Sequence, residues 1–213
     1  MLLPGTMCDA ALWVGVSLPA GARVMDTVRG GSLAKAAVLA LEHAPARFHL
    51  LGFSLGAIVA FEILRQAPQR VARLTLISAN PHAPSSAQMD TWAEQERQVR
   101  AGRFGTLTAT LAPSGPQREQ VLAMALRVGP EAFLEQLALL CSRPDSRPLL
   151  ADYRGPLTLL VGQDDTVTPP QLADEMKTLA PQARLHVIPN AGHYLPLDAP
   201  QAVSDALRIV AYA

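Results

Sequence analysis

Short apolar runs, closed by Gly or Pro and separated by segments of helical period, recur along most of the chain and restrict what it can fold into. The runs are Met1 to Leu3, Arg23 to Thr27, Arg47 to Leu51, Leu74 to Ser78, Leu157 to Val161 and Arg184 to Ile188. Near-continuous apolar strands need cover on both faces, and intervening helices supply it. The pattern therefore predicts an α/β fold whose mostly parallel, doubly wound sheet has about six strands. The spacing predicts helices over 10–16, 32–43, 55–66, 170–179 and 200–211, with Ser32 and Pro170 as starting residues.

The alternation lapses once. Between 81 and 154 no strand is legible, and helical spacing appears instead at 89–100, 103–111, 116–128 and 130–140. A helical subdomain over 81–154 is thus expected, inserted into a core formed by 1–80 and 155–213. As a lid, it would bring Trp92, Phe104, Leu107, Phe133 and Leu137 over a pocket, although most apolar side chains in such helices serve packing.

Charge narrows the partners. The 18 basic residues cancel the 18 acidic ones, which leaves no clustered positive charge for nucleic acid or a membrane surface. A small, mainly uncharged molecule is the expected partner. Cys8 and Cys141 are far apart and form no CxxC pair, so neither a disulfide framework nor a zinc site is suggested. No long apolar span and no basic leader is seen, and a cytoplasmic protein is expected. The glycines at 30 and 31 lack a dinucleotide fingerprint and no His/Asp cluster has ligand spacing, so no cofactor and no metal is expected.

Gly52-Phe53-Ser54-Leu55-Gly56 lies between a strand run and a helix run. In a sharp strand-to-helix turn a serine is exposed in an unfavourable backbone conformation, and a Cβ two residues to either side would strike neighbouring backbone. A serine hydroxyl becomes a nucleophile only beside an oriented base. Of the five histidines, His49 and His186 sit inside strand runs, His43 ends a helix and His82 begins the insertion. His193 follows Asn190-Ala191-Gly192 in the loop after the last strand, at the carboxyl edge where Ser54 also emerges. The acid should leave a strand at that edge too, and Val161-Gly162-Gln163-Asp164-Asp165 offers a tandem. Asp165, three residues after Gly162 and four before Pro169, has room to point back to the sheet, whereas Asp164 suits a turn acceptor or a solvent-facing group.

With GFSLG, VGQDDTVTPP and NAGHYLPLDAP in that order, and LLPGTMCDAALW at the N-terminus, the chain resembles the α/β-hydrolase superfamily over nearly its whole length. The resemblance implies Ser54 as nucleophile, Asp165 as acid, His193 as base, and an oxyanion hole from the backbone N–H groups of Leu55 and Thr6. Pro4-Gly5 stands where many relatives have His-Gly, with Met7 as the neighbouring alternative to Thr6. Relatives usually carry two strands ahead of the first one here. A trimmed sheet is therefore expected, with Arg23–Thr27 at an edge that is shielded by Arg23 and Asp26 or paired with a second copy of the chain.

A serine nucleophile implies acyl transfer to water. Met7, Cys8, Phe53, Trp92 and Phe104 are the expected pocket residues, nearly all apolar, which favours a small or medium apolar carboxylic ester. Cys8 has no base beside it in sequence and suits a wall or packing role. A carboxylated substrate would call for an arginine, for which Arg97, Arg100 and Arg103 are candidates. Lactone, thioester and C–C bond hydrolysis fit the same triad, and a catalytically idle binding protein on the same fold is the alternative of another class.

Overall fold

The computed structural model describes residues 1–209. Five strands form one parallel sheet in the order β1 (Leu2–Leu3), β2 (Phe48–Phe53), β3 (Val71–Ile77), β4 (Leu157–Gly162) and β5 (Arg184–Ile188). Adjacent apolar residues in a strand face opposite sides of the pleat. Leu3, Leu50, Leu74 and Leu159 accordingly join one core with helices α1 (Leu33–Glu42), α2 (Leu55–Gln66) and α7 (Pro170–Leu179). Leu2, Leu51, Ile77 and Leu160 join a second core with Leu12, Trp13 and α9 (Pro200–Ile209). Both faces are covered, as the apolar runs require.

The sheet has one strand fewer than expected, because Arg23–Thr27 forms only a single parallel bridge between Leu2 and Val24. The reason is local. Leu2 N–H donates to the Arg23 carbonyl at 2.8 Å and its carbonyl accepts from Met25 N–H at 3.0 Å, but the next donor in register would be Pro4, which has no N–H. The helix expected over 10–16 is only a 3-10 turn, Ala10–Trp13, capped by the Asp9 side chain. Ser32 caps α1 through Lys35 N–H, and Pro170 opens α7. The last two residues of the helix expected over 200–211 lie outside the described residues.

Four helices stand between β3 and β4: α3 (Ser86–Arg100), α4 (Phe104–Leu111), α5 (Arg118–Ser142) and α6 (Arg147–Asp152). The two segments expected at 116–128 and 130–140 are the two halves of α5, which bends at Gly129, where φ is +78° and Pro130 follows. Neither α6 nor the short α8 (Leu195–Asp198) has a legible period.

Close backbone packing lies under the GFSLG turn. A Cβ on Gly56 would stand 2.2 Å from the Leu3 carbonyl oxygen, and one on Gly52 would stand 2.4 Å from that of Gly56. Backbone cannot swing aside as a side chain can. Gly56→Ala is therefore expected to lower the unfolding free energy by about 1–3 kcal/mol or more, read from urea denaturation; an unchanged midpoint would mean that α2 shifts away from β1 without cost.

Candidate active site

Ser54 sits at the junction of β2 and α2 with φ 52° and ψ −112°, a conformation rare for any residue with a side chain. The turn is pinned on both sides, since Ser54 N–H donates to the Ile77 carbonyl at 3.0 Å and the Ser54 carbonyl accepts from Ala57 N–H at 2.9 Å. The hydroxyl is thereby presented beyond the carboxyl edge of the sheet. His193 Nε2 lies 3.1 Å from Ser54 Oγ, and His193 Nδ1 lies 3.0 Å from Asp165 Oδ2 and 3.1 Å from Oδ1. The structure thus brings together all three residues that the sequence places at this edge.

The tandem aspartates part ways as their spacing suggests. Asp165 is buried, while Asp164 is exposed and engages its backbone N–H with the Ala191 carbonyl. Gly162 lets the two loops meet, because a Cβ there would stand 2.2 Å from the Ala191 carbonyl oxygen. Burial alone would raise the Asp165 carboxyl. Hydrogen bonding and charge from His193, with two bonds from Thr168, outweigh it and hold the carboxyl below its ordinary value. Thr168 N–H donates at 2.8 Å, Thr168 Oγ1 at 2.7 Å and Val167 N–H at 2.9 Å. Thr168 is thus a site residue that the sequence reading missed, although the TVTPP segment that carries it was in view. Ser78 was missed as well: buried at the end of β3, it donates to the His193 carbonyl at 3.1 Å.

Near Ser54, the backbone N–H groups of Thr6 and Leu55 are among those that have no protein acceptor among the described residues. Met7 N–H is committed to Gln136 Oε1 at 3.0 Å. Of the two neighbours, Thr6 therefore keeps its N–H unspent and Met7 does not. Gln136 is wholly buried, and its Nε2 donates to the Val28 carbonyl and to Thr27 Oγ1. Nothing in the period of α5 distinguishes this glutamine from its surface neighbours, since its role depends on contacts more than a hundred residues away in the chain.

A cavity of about 240 Å³ opens on Ser54 and His193. Its walls include Thr6, Met7 and Phe53 from the core and Trp92, Phe133 and Leu137 from the inserted helices. Two expected pocket residues are absent from it. Cys8 is buried in the core beneath the sheet with Leu12 and Trp13, where burial pushes its thiol well above the usual range. Phe104 packs on Phe133 at 5.7 Å between ring centres, inside the insertion's own core with Leu107. The three arginines that a carboxylated substrate could have called on lie elsewhere. Arg97 and Arg100 pair with Glu94 and Glu96 on the exposed face of α3, and Arg103 is exposed. Arg143, which follows α5, lines the cavity in their place.

The other histidines serve elsewhere. His49 is bonded to Thr75 Oγ1 at 2.8 Å, and burial, aided by the Met1 amino group and Arg73, lowers its pKa to about 4. His82 pairs with Glu175 at 2.6 Å. Among the described residues no group of three or more His, Cys, Asp or Glu side chains could hold a metal ion, and no helix is long and apolar enough to cross a membrane.

The sheet, the strained serine turn and the Ser–His–Asp contact define an α/β protein built for an activated serine. Residues 12–206 match the family model described as alpha/beta hydrolase family, and the chain belongs to that family. It is 27% identical over 195 residues to a pimeloyl-[acyl-carrier protein] methyl ester esterase of Photobacterium profundum, covering 85% of this chain and 77% of that one. Identity to a protein of the same name from Nitrosomonas europaea is 32% over 165 residues, covering 70% of this chain and 65%, just under two thirds, of that one. A thermophilic esterase from Thermogutta terrifontis superposes with a TM-score of 0.84 at 24% identity, over 99% of this chain and 88% of that one, which is a likeness of fold.

If Asp165 orients His193, replacing it by the isosteric amide should cost at least about a hundredfold in kcat, since comparable triad substitutions cost ~10⁴. Asp164→Asn should cost less than about tenfold, because an exposed turn aspartate contributes only local hydrogen bonds. Steady-state kinetics of the two variants under one assay checks this, and a large loss at Asp164 would reverse the assignment.

Proposed function

We propose that this chain hydrolyses a small to medium, mainly apolar carboxylic ester through an acyl-enzyme intermediate. The observation that carries the reading is the Ser54 Oγ–His193 Nε2 contact of 3.1 Å at a cavity that Ser54, His193 and Thr6 line together. Relatives named as methyl ester esterases support an ester as the bond broken. The cavity is smaller than the roughly 300–1,000 Å³ usual for drug-sized ligands, which favours a short acyl or alkyl chain.

In this reading Ser54 Oγ attacks the ester carbonyl carbon while its proton passes to His193 Nε2. Asp165 holds Nδ1–H and stabilises the imidazolium that forms. The oxyanion takes the N–H groups of Leu55 and Thr6, each contributing on the order of 3 kcal/mol to the transition state. Nε2 then gives its proton to the departing alkoxide, and the alcohol leaves. A water molecule, deprotonated by the same nitrogen, attacks the acyl carbon. Return of that proton to Ser54 Oγ releases the acid and restores the enzyme.

Ser54→Ala should lower the hydrolysis of p-nitrophenyl acetate by at least about a thousandfold, because the remaining groups have no nucleophile to activate; equal rates for the two proteins would mean that the fold is retained without this chemistry. The insertion yields a separate expectation. Trp92→Ala, on the cavity wall, should change the ratio of kcat/KM between octanoyl and acetyl esters, whereas Phe104→Ala should leave that ratio alone and cost about 3–5 kcal/mol of stability. A panel of p-nitrophenyl esters and a urea titration of each variant separate the two roles.

A further inference from the structure

The Arg143 side chain is 6% exposed, yet no aspartate or glutamate among the described residues forms an ion pair with it. Its partners are uncharged. Nε donates to the His82 carbonyl at 2.9 Å, Nη2 donates to Gln88 Oε1 at 3.0 Å, and the guanidinium lies 5.2 Å from the centre of the Trp92 ring. Asp145, two residues on in the chain, is committed to Arg147, and Glu175, which pairs with His82, is shared with Arg147 as well. A guanidinium carries five N–H donors, so both donors of Nη1 and one of Nη2 remain unspent.

Burying a cation without a counterion is unfavourable, and proteins rarely do it without a compensating partner. The desolvation is evident in the lowered pKa of Arg143, which burial drives. The group nevertheless stays charged at neutral pH, since an arginine ordinarily titrates above about 12. The cavity that Arg143 lines is the one that opens on Ser54 and His193, and most of its remaining wall is apolar. A ligand is therefore the group best placed to supply the missing anion.

We propose that Arg143 is a specificity-determining residue that binds a carboxylate on the substrate, so that the enzyme acts on short esters carrying a free carboxylate, the half-esters of small dicarboxylic acids. This rests on the ester-hydrolase reading and narrows its substrate class. Arg143 offers the carboxylate two parallel N–H groups, a geometry that lysine or a neutral donor does not reproduce. Trp92 braces the guanidinium plane and Gln88 and the His82 carbonyl fix its rotation, so little freedom is lost on binding.

The test compares monomethyl succinate, glutarate and adipate with their dimethyl diesters by pH-stat titration. At one chain length or more, the unmodified enzyme should favour the half-ester at least tenfold in kcat/KM, and Arg143→Met should bring that ratio to about one, chiefly through KM. A ratio near one in the unmodified enzyme at every length overturns the proposal. A second measurement needs no variant: butyrate should inhibit p-nitrophenyl acetate hydrolysis at a tenfold or more lower concentration than the isosteric butyramide, and equal inhibition likewise overturns it. If p-nitrophenyl acetate is not hydrolysed at all, the ester-hydrolase reading fails by itself. Calorimetric titration with butyrate and butyramide then decides on the anion site alone, with the same tenfold preference expected and equal or absent binding overturning it.

Discussion

Ser54 is held at φ 52°, a conformation that costs on the order of 1–3 kcal/mol and persists only where neighbouring structure over-determines it. The over-determination here is contact of backbone on backbone. Gly52 lies against the first turn of α2, Gly56 lies against the Leu3 carbonyl, and Ser54 N–H is tied to β3. Because α2 rests directly on the end of β1, the loop that leaves β1 is delivered beside the serine. Two residues of strand suffice to place Thr6 because three elements meet there without side chains between them. The same device recurs at Gly162, where the acid loop and the histidine loop touch backbone to backbone.

Around the cavity, two buried ions stand in opposite conditions: Arg143 lines it, and Asp165 lies behind His193. Asp165 accepts from Val167, Thr168 and His193, so its charge is satisfied before any substrate arrives. A saturated carboxylate can only orient and stabilise, which suits the proposed task of holding an imidazole through a proton transfer. Arg143 is buried as deeply but keeps donors in reserve. One charge is fixed for chemistry and the other is open to recognition. The difference follows from where each sits: Asp165 lies in a tight turn rich in N–H groups, while Arg143 leaves the end of a helix whose neighbours offer two acceptors and an aromatic face.

The parts of the site that were legible in the sequence are those whose spacing is local. GFSLG between a strand and a helix, the aspartate three residues past Gly162, and the histidine in the loop after β5 are each set by a few neighbouring residues, and the structure brings them within hydrogen-bonding distance. Arg23–Thr27 had the composition of a strand, but pairing depends on the partner, and Pro4 withdraws the donor that a ladder would need. Trp92 and Phe104 looked alike as aromatics in a helical insertion, and only the packing of α4 on α5 sends one to the cavity and the other to the core. Arg143 and Gln136 were illegible for a stronger reason. Polar residues in a helical segment or just past its end are usually solvated, and no period reveals that these two turn inward to groups far off in the chain.

The inserted helices differ in how they are tied to the core. The second half of α5 grips the N-terminal segment, with Gln136 bonded to Met7, Thr27 and Val28 and Glu135 to Arg29 and Gly30, while Arg127 in the first half pairs with Asp9. Displacing α5 would break these bonds and release the loop that carries Thr6. Side-chain hydrogen bonds of α3 and α4, in contrast, stay within 81–154 among the described residues. Trp92 and Gln95 of α3 and Leu111 of α4 form a cavity wall that reaches the loop after β1 only through the apolar core shared with Met7. A single insertion thus divides its contacts, since one side braces the loop that carries the proposed oxyanion donor Thr6 and the other lines the cavity.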